Sequence, residues 1–421
     1  MLFEGTQIVD ELDYSYYEAL NAGDTNLGLD FFKPSVNAKP PTIMQVLPSL
    51  NSGGVERGTL EISKALITAG WKSIVVSQGG SMVNQLKNEG GIHVELAVGS
   101  KNPINWFSCY RQIKDIMLKY EVDLVHARSR MPAWLALNAT KAVPTHFITT
   151  FHGRHNDTNR LKKFYNSVMT RGEKTIAISS YIASEIMIRH RIKPTKLYII
   201  PRGVDPYYFN QNTVSRERKD KLKLHWGVPD NIPVIMLPGR VTRWKGHELL
   251  IKSLTRLHDL SFFCIFVGPY DDKKKFKKDL EHLIRKNNLT SKTKFVGDCA
   301  DMAAAYKLSD IVISASLDPE PFGRTIIEAQ AMGKIVLASK HGGAIESIIE
   351  GKTGWLFEPC NPIALSDRLR NALNIDDLER STVSSNAERH IRRNFSTEEM
   401  CARTLSVYTE VLGLNSIGND N

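Results

Sequence analysis

Cysteine is scarce in this 421-residue chain, and its five thiols are scattered: Cys109, Cys264, Cys299, Cys360 and Cys401. No CxxC and no close pair occurs, which speaks against a disulfide framework or a zinc site and fits a reducing compartment. No histidine or cysteine cluster has metal-ligand spacing, so no metal is expected. Long apolar runs are missing as well; none approaches the ~18 residues that span a bilayer. The opening MLFEGTQIVDELD has neither a basic n-region nor an apolar h-region. No secretory signal is expected, and the location implied is cytoplasmic.

Acid is in deficit, with 45 Asp and Glu against 55 Lys and Arg for a net charge of +10. The first 39 residues run the other way, with seven acidic side chains against Lys33 and Lys39. Residues 1–40, which include the aromatic cluster Tyr14–Tyr17 and close on KPSVNAKPP, read as a mobile acidic extension. The basic remainder suits phosphate-bearing ligands, an anionic membrane surface or nucleic acid. No nucleic-acid-binding module is visible, so nucleic acid is not an expected partner.

The chain is too long for one compact core, and its 42% apolar and 24% charged residues are ordinary for a globular enzyme. From Thr42 onward strand-like runs alternate with helix-period segments. In the first half they are Ile43–Leu47, Ser73–Ser77, Val94–Leu96, Leu124–His126, Phe147–Phe151, Thr175–Ile178 and Leu197–Ile200. In the second they are Val234–Leu237, Phe262–Val267, Lys294–Val296, Ile311–Ser314, Ile335–Ala338 and Trp355–Phe357. Strands alternating with helices predict α/β architecture with doubly wound parallel sheets. The polar stretch Phe209–Lys223 lacks apolar periodicity and reads as the break between halves. Expected domains are therefore 41–208 and 209–395, facing a central cleft. A final helix within 396–421 is expected to pack back on the first of them.

The βα loops carry the chemistry. Gly53 and Gly54 follow the first strand and open the helix Val55–Ala69, where backbone N–H groups and a positive dipole end suit an anion. The pattern is not GxGxxG, so a nicotinamide dinucleotide is not indicated. In MLPGRVTRWKGHE, Arg240 and Lys245 place two cations on one loop at a strand end, a diphosphate clamp. In LDPEPFGRTIIEAQ, Glu320 stands in a loop, Gly323 opens a helix, and Phe322 to Thr325 present helix-start N–H groups. Glu328 lies more than a turn inside that helix within an apolar run, and a carboxylate there needs a partner. Two carboxylates on one loop–helix edge do not bracket a bond as a glycosidase pair does.

Together GGxE, GRxxxxKG, EPFGRTIIEA and IPRGVD (Ile200–Asp205) resemble the retaining GT-B glycosyltransferases of family 4, over residues from about Thr42 to the final helix. The resemblance implies two Rossmann-like domains and a nucleoside diphosphate sugar, with no further cofactor. It places Arg240 and Lys245 on the diphosphate with the backbone at Gly53, Gly54, Gly323, Arg324 and Thr325, and counts Pro321 and Phe322 among the substrate-binding residues. It places Glu320 on the sugar hydroxyls, Glu328 on the ribose, His152 near the donor sugar, and the base at Val296 and Gly297. Arg202 departs from the commoner IPNGVD, and the acidic extension has no counterpart. No DxD pair occurs, so the metal site of the other large glycosyltransferase fold is absent from the sequence.

The function implied is hexosyl transfer to a cell-envelope glycan or a lipid-linked sugar, as in lipopolysaccharide biosynthesis. A nucleotide-sugar epimerase on the same scaffold, or a nucleotide-binding protein without catalysis, are the alternatives. EGKTG at Glu350–Gly354 is no P-loop, because Glu346 stands where the first glycine belongs. Leu161, Phe164, Tyr165, Val168 and Met169 recur at helical spacing among basic residues. Such a helix can lie on anionic lipid at the inner membrane as a peripheral contact. The commoner meaning is a helix packed on its own sheet.

Overall fold

The computed structural model describes residues 28–35, 38–51, 53–100, 102–270 and 274–414. The chain divides into two compact units: one runs through Arg202 and resumes at Thr397, the other spans Gly203–Ser396.

Unit 1 alternates β1 (Thr42–Val46), α1 (Gly54–Thr68), β2 (Lys72–Ser77), α2 (Val83–Asn88), β3 (Ile92–Glu95), α3 (Pro103–Lys119) and β4 (Leu124–Ala127). It continues with α4 (Arg130–Thr140), β5 (His146–Phe151), α5 (Arg160–Asn166), β6 (Lys174–Ala177), α6 (Ser180–His190) and β7 (Leu197–Ile199). Its seven strands are all parallel in the order β3-β2-β1-β4-β5-β6-β7. Unit 2 has α7 (Arg216–Trp226), β8 (Val234–Pro238), α8 (His247–Leu254), β9 (Phe263–Val267), α9 (Lys274–Lys286), β10 (Thr293–Gly297) and α10 (Met302–Leu308). β11 (Ile311–Ser314), α11 (Arg324–Ala331), β12 (Ile335–Ser339), α12 (Ala344–Ser347), β13 (Trp355–Phe357), α13 (Pro362–Leu373) and α14 (Asp377–Asn394) complete it. Its six strands run parallel as β10-β9-β8-β11-β12-β13.

The central strands are buried at every position, as in β1, β4, β8, β9, β11 and β12. Helices cover both faces of such a sheet, which is why these strands read as continuous apolar runs. All thirteen expected strands are present, so the doubly wound α/β reading holds for both halves.

Three expectations need correcting. The stretch read as the break between the halves, Phe209–Lys223, holds most of α7, which is started by Ser215 Oγ accepting from the Arg218 amide at 3.2 Å and stopped by Gly227 in the left-handed region. Only Trp226 of this helix is buried, so no apolar period could reveal it. The helix is anchored by Arg218, whose guanidinium grips Asp301 at 2.8 and 2.9 Å. Part of the segment read as a mobile extension is ordered: Leu29–Phe32 forms a 3-10 turn, and Trp71 Nε1 donates to the Phe32 carbonyl at 2.7 Å. The rest of that segment through residue 27, with Tyr14–Tyr17, lies outside the described residues.

The third concerns 161–169. The helix ends at Asn166 and gives way to a 3-10 turn, Ser167–Thr170. Val168 and Met169 are buried, whereas Leu161 is 81% and Phe164 60% exposed. The change of pitch turns the first apolar residues outward, so this is not one helix packed on its sheet.

The final helix α15 (Thr397–Val411) belongs to unit 1. Met400, Leu405, Tyr408 and Val411 join a core cluster with Ile43, Leu66 and Trp71. Among the described residues no helix is long and apolar enough to cross a membrane.

Candidate functional site

In unit 2 the chain steps outward from β8 through β9 and β10, then returns to β11 on the other side of β8. At such a reversal the loops leaving neighbouring strands part company, and ligands meet the carboxyl ends there. The β8 loop carries Gly239, the exposed Arg240, and Lys245 at the end of a 3-10 turn (Arg243–Lys245). Gly246 follows in the left-handed region, and a Cβ there would overlap the Ala315 carbonyl. Only glycine lets the β8 and β11 loops approach backbone to backbone.

That approach brings Lys245 Nζ within 2.7 Å of Glu320 Oε1, with side chains 14% and 10% exposed. Ser316 Oγ donates to the same carboxylate oxygen, and Ser314 Oγ lies 3.5 Å from it. The ammonium also stands over the Trp244 ring at 4.4 Å. A nearly buried ion pair is tolerated because hydrogen bonds supplement the Coulomb attraction. The Gly343 amide donates to the Glu320 carbonyl at 2.8 Å, so the loop after β12 braces the glutamate backbone. This Gly342–Gly343 brace was not anticipated; a glycine pair after a strand was its only sequence signal.

Gly323, at φ 93°, starts α11. Phe322 is buried with its ring 5.9 Å from Phe395, while Pro321, Arg324 and Thr325 are half-buried beside it. Glu328 has the partner its setting demands: Tyr306 Oη donates to Oε2 at 2.9 Å, and Arg324 Nε lies 3.6 Å from Oε1. Burial, and then the neighbouring Glu328 carboxylate, push the Tyr306 phenol well above its ordinary value, which keeps it a donor. Val296 and Gly297 close β10, where the Gly268 amide donates to the Gly297 carbonyl at 2.7 Å. Gly239 in turn donates to Val267 at 2.8 Å, so the ends of β8, β9 and β10 form one stitched ledge. All the residues expected in this half therefore fall along one sheet edge or on the helix that opens from it.

Unit 1 repeats the reversal between β1 and β4. Gly53 and Gly54 are exposed at the start of α1, and Glu56 folds back so that a Cβ on Gly53 would meet its carboxylate. His152 follows β5. Arg202 Nη2 donates to His152 Nδ1 at 2.5 Å, and its Nη1 rests against Gly58, where a Cβ would collide with it. Because a guanidinium only donates, Nδ1 accepts and the imidazole proton sits on Nε2. That Nε2 is out of solvent and meets no hydrogen-bond partner among the described residues. Burial first, and then Arg202 and Arg128, hold the His152 imidazole well below its usual titration range.

Arg128 was missed by the sequence reading. It follows β4, is buried, and donates through Nε to Gln45 Oε1 at 2.7 Å. An arginine immediately after a buried strand was the available signal. Among the described residues no three His, Cys, Asp or Glu side chains are placed to hold a metal ion.

Comparison with known proteins places this geometry. Residues 52–208 match the Glycosyltransferase Family 4 family, and residues 218–390 match Glycosyl transferases group 1. A glycosyltransferase crystal structure from Rickettsia africae ESF-5 is 39% identical, with TM-score 0.85 over 90% of this chain and 100% of that one. The Anabaena HepE structure in complex with UDP shares the fold at TM-score 0.78 and 22% identity, over 88% of this chain and all of that one. The lipopolysaccharide 1,2-N-acetylglucosaminetransferase of Salmonella typhimurium is 29% identical over 51% of this chain and 56% of its own length. Curated relatives are matched over 51–79% of their own length. With both halves matched, and with two Rossmann-like units carrying the motif residues at their sheet edges, the chain belongs to the GT-B glycosyltransferases of family 4, group 1.

Proposed function

We propose that this glycosyltransferase moves a hexosyl unit from a nucleoside diphosphate sugar to a cell-envelope glycan or lipid-linked sugar, with retention at the anomeric carbon and without a metal ion. The observation that carries the reading is the Lys245–Glu320 pair at the β8/β11 reversal, beside the start of α11. Lys245, the exposed Arg240 and the positive end of α11 supply charge for a departing diphosphate. Glu320 accepts from the sugar hydroxyls and Glu328 from the ribose, while Val296 and Gly297 bound the base. Gly53 and Gly54 add backbone donors, and His152 offers a neutral Nε2–H to the sugar. Contacts to the leaving diphosphate strengthen as the bond breaks, so they act on turnover more than on ground-state binding. Crystal structures of Anabaena HepE with UDP, and with UDP-glucose, support a nucleotide sugar as the donor. The Salmonella relative supports an envelope glycan as the acceptor class.

The test incubates the pure protein with UDP-, ADP- and GDP-hexoses in EDTA and measures nucleoside diphosphate release. Slow hydrolysis of at least one donor, accelerated by an acceptor glycan, is expected. No release from any donor, or release that appears only on adding a divalent metal, sinks the reading.

A further inference from the structure

Unit 1 holds an apolar groove of about 840 Å³ bordered by α3, α4 and α5, with none of the sheet-edge residues named above in its lining. Six aromatic rings line it: Trp106, Phe107, Tyr110, Trp134, Phe164 and Tyr165. Phe107 and Phe164 are 61% and 60% exposed, although a folded monomer ordinarily covers side chains this large when they cluster. The opening volume is that of a ligand site, not of a packing defect.

Among the described residues, the charges accompanying the groove have one sign. Lys141 lines it, and no described Asp or Glu does. The Arg111 guanidinium stands 4.2 Å from the Phe107 ring centroid, and Arg130 stands 5.5 Å from that of Tyr165. Arg171 lies over both Trp134 at 4.7 Å and Phe164 at 5.1 Å. On α5, Arg160, Lys162 and Lys163 are exposed next to Leu161 and Phe164. Apolar rings with cations held over their faces match a ligand whose own apolar part adjoins a negative group.

We infer that this groove is where unit 1 docks on the anionic face of a phospholipid bilayer. An acyl chain enters between the rings, and lipid phosphates meet Arg111, Arg130, Lys141 and Arg171. A second copy of the chain is the poorer occupant, because a two-fold contact would set this cationic rim against itself. A membrane surface supplies both the hydrocarbon and the opposite charge. The inference is independent of which sugar is transferred, and its readout needs no donor or acceptor.

The full chain is sedimented with vesicles of phosphatidylglycerol and phosphatidylcholine, and with vesicles of phosphatidylcholine alone. Partition at least tenfold stronger onto the anionic vesicles is expected, declining with added salt. Phe107→Glu and Phe164→Glu should each weaken it tenfold or more. Lys141→Ala and Arg171→Ala, at exposed positions that leave the fold intact, should each weaken it roughly fivefold. Acyl-brominated lipid should quench tryptophan emission in the wild type but not in a Trp106→Phe, Trp134→Phe double variant. Equal partition onto both vesicle types, no partition, or binding untouched by the glutamate variants overturns the proposal. So does self-association of the wild type that those variants abolish, which would identify a second copy as the occupant.

Discussion

Arg202 Nη2 lies 2.5 Å from His152 Nδ1, so the arginine fixes which nitrogen of the histidine carries the proton. Gly58 makes room for that guanidinium. Replacing Arg202 with Met removes both the donor and the positive charge. Turnover is expected to drop about 10²-fold, as for loss of a positioned donor. The acid limb of the pH–rate profile should move up toward the ordinary histidine value of about 6.5. Arg202→Lys should restore the profile in part. A profile identical to the wild type would show that the contact positions nothing.

Lys245 and Glu320 separate catalysis from stability. Glu320→Gln keeps the Ser316 hydrogen bond but removes the charge, so kcat should fall 10²–10³-fold with the fold intact. Lys245→Ala leaves a nearly buried carboxylate unpaired. Urea unfolding should then register a loss of about 3–5 kcal/mol, the usual cost of breaking a buried pair. Wild-type stability of Lys245→Ala would contradict the pairing.

Tyr306 is fully buried and donates to Glu328. Tyr306→Phe leaves the carboxylate short of a donor, costing about 1–3 kcal/mol in thermal or urea unfolding. Glu328→Gln should narrow discrimination between ribonucleotide and 2′-deoxyribonucleotide donors, read as the ratio of their kcat/KM values. An unchanged ratio would detach Glu328 from ribose recognition.

His247 is buried, and burial pulls its pKa to about 4. Below about pH 6.5 the unfolded chain takes up a proton that the folded chain refuses, so stability is complete above that pH and falls as pH drops toward 4. At pH 5 this one side chain should remove about 2 kcal/mol. The stability difference between wild type and His247→Phe should therefore shift by that amount between pH 7.5 and pH 5. A pH-independent difference would refute the assignment.

The helix α15 completes the core of unit 1 although it is the last element among the described residues. Its Tyr408 Oη lies 2.6 Å from His126 Nδ1, with both side chains buried. Tyr408→Phe is expected to cost about 1–3 kcal/mol. Truncation after Ser396 should leave unit 1 unfolded by near-UV circular dichroism and tryptophan emission. A native spectrum for the truncated chain would make the helix dispensable.

Much of this was legible in sequence because it depends on local pattern. Thirteen apolar runs alternating with helical periods specify parallel strands buried on both faces, whatever packs on them. Glycines beside Arg240, Lys245 and His152, and prolines on either side of Glu320, mark the loops at the strand ends. The helix α7 escaped because burial of Trp226 alone leaves no period to read. The turn at Asn166–Ser167 escaped because a change of helical pitch has no side-chain signature there.

Sequence by itself determined the doubly wound architecture and the residue types at the sheet edges, because both follow from hydrophobic period and turn chemistry over a few residues. Only the tertiary structure decided which partners those residues take. Lys245 meets Glu320 across 75 positions, Arg202 meets His152 across 50, and Tyr408 reaches His126 across 282. The first two pairs exist because parallel strands bring distant loops to one edge, and the third because the final helix packs back on the sheet that holds His126. That adjacency is a property of strand order, which no local pattern encodes.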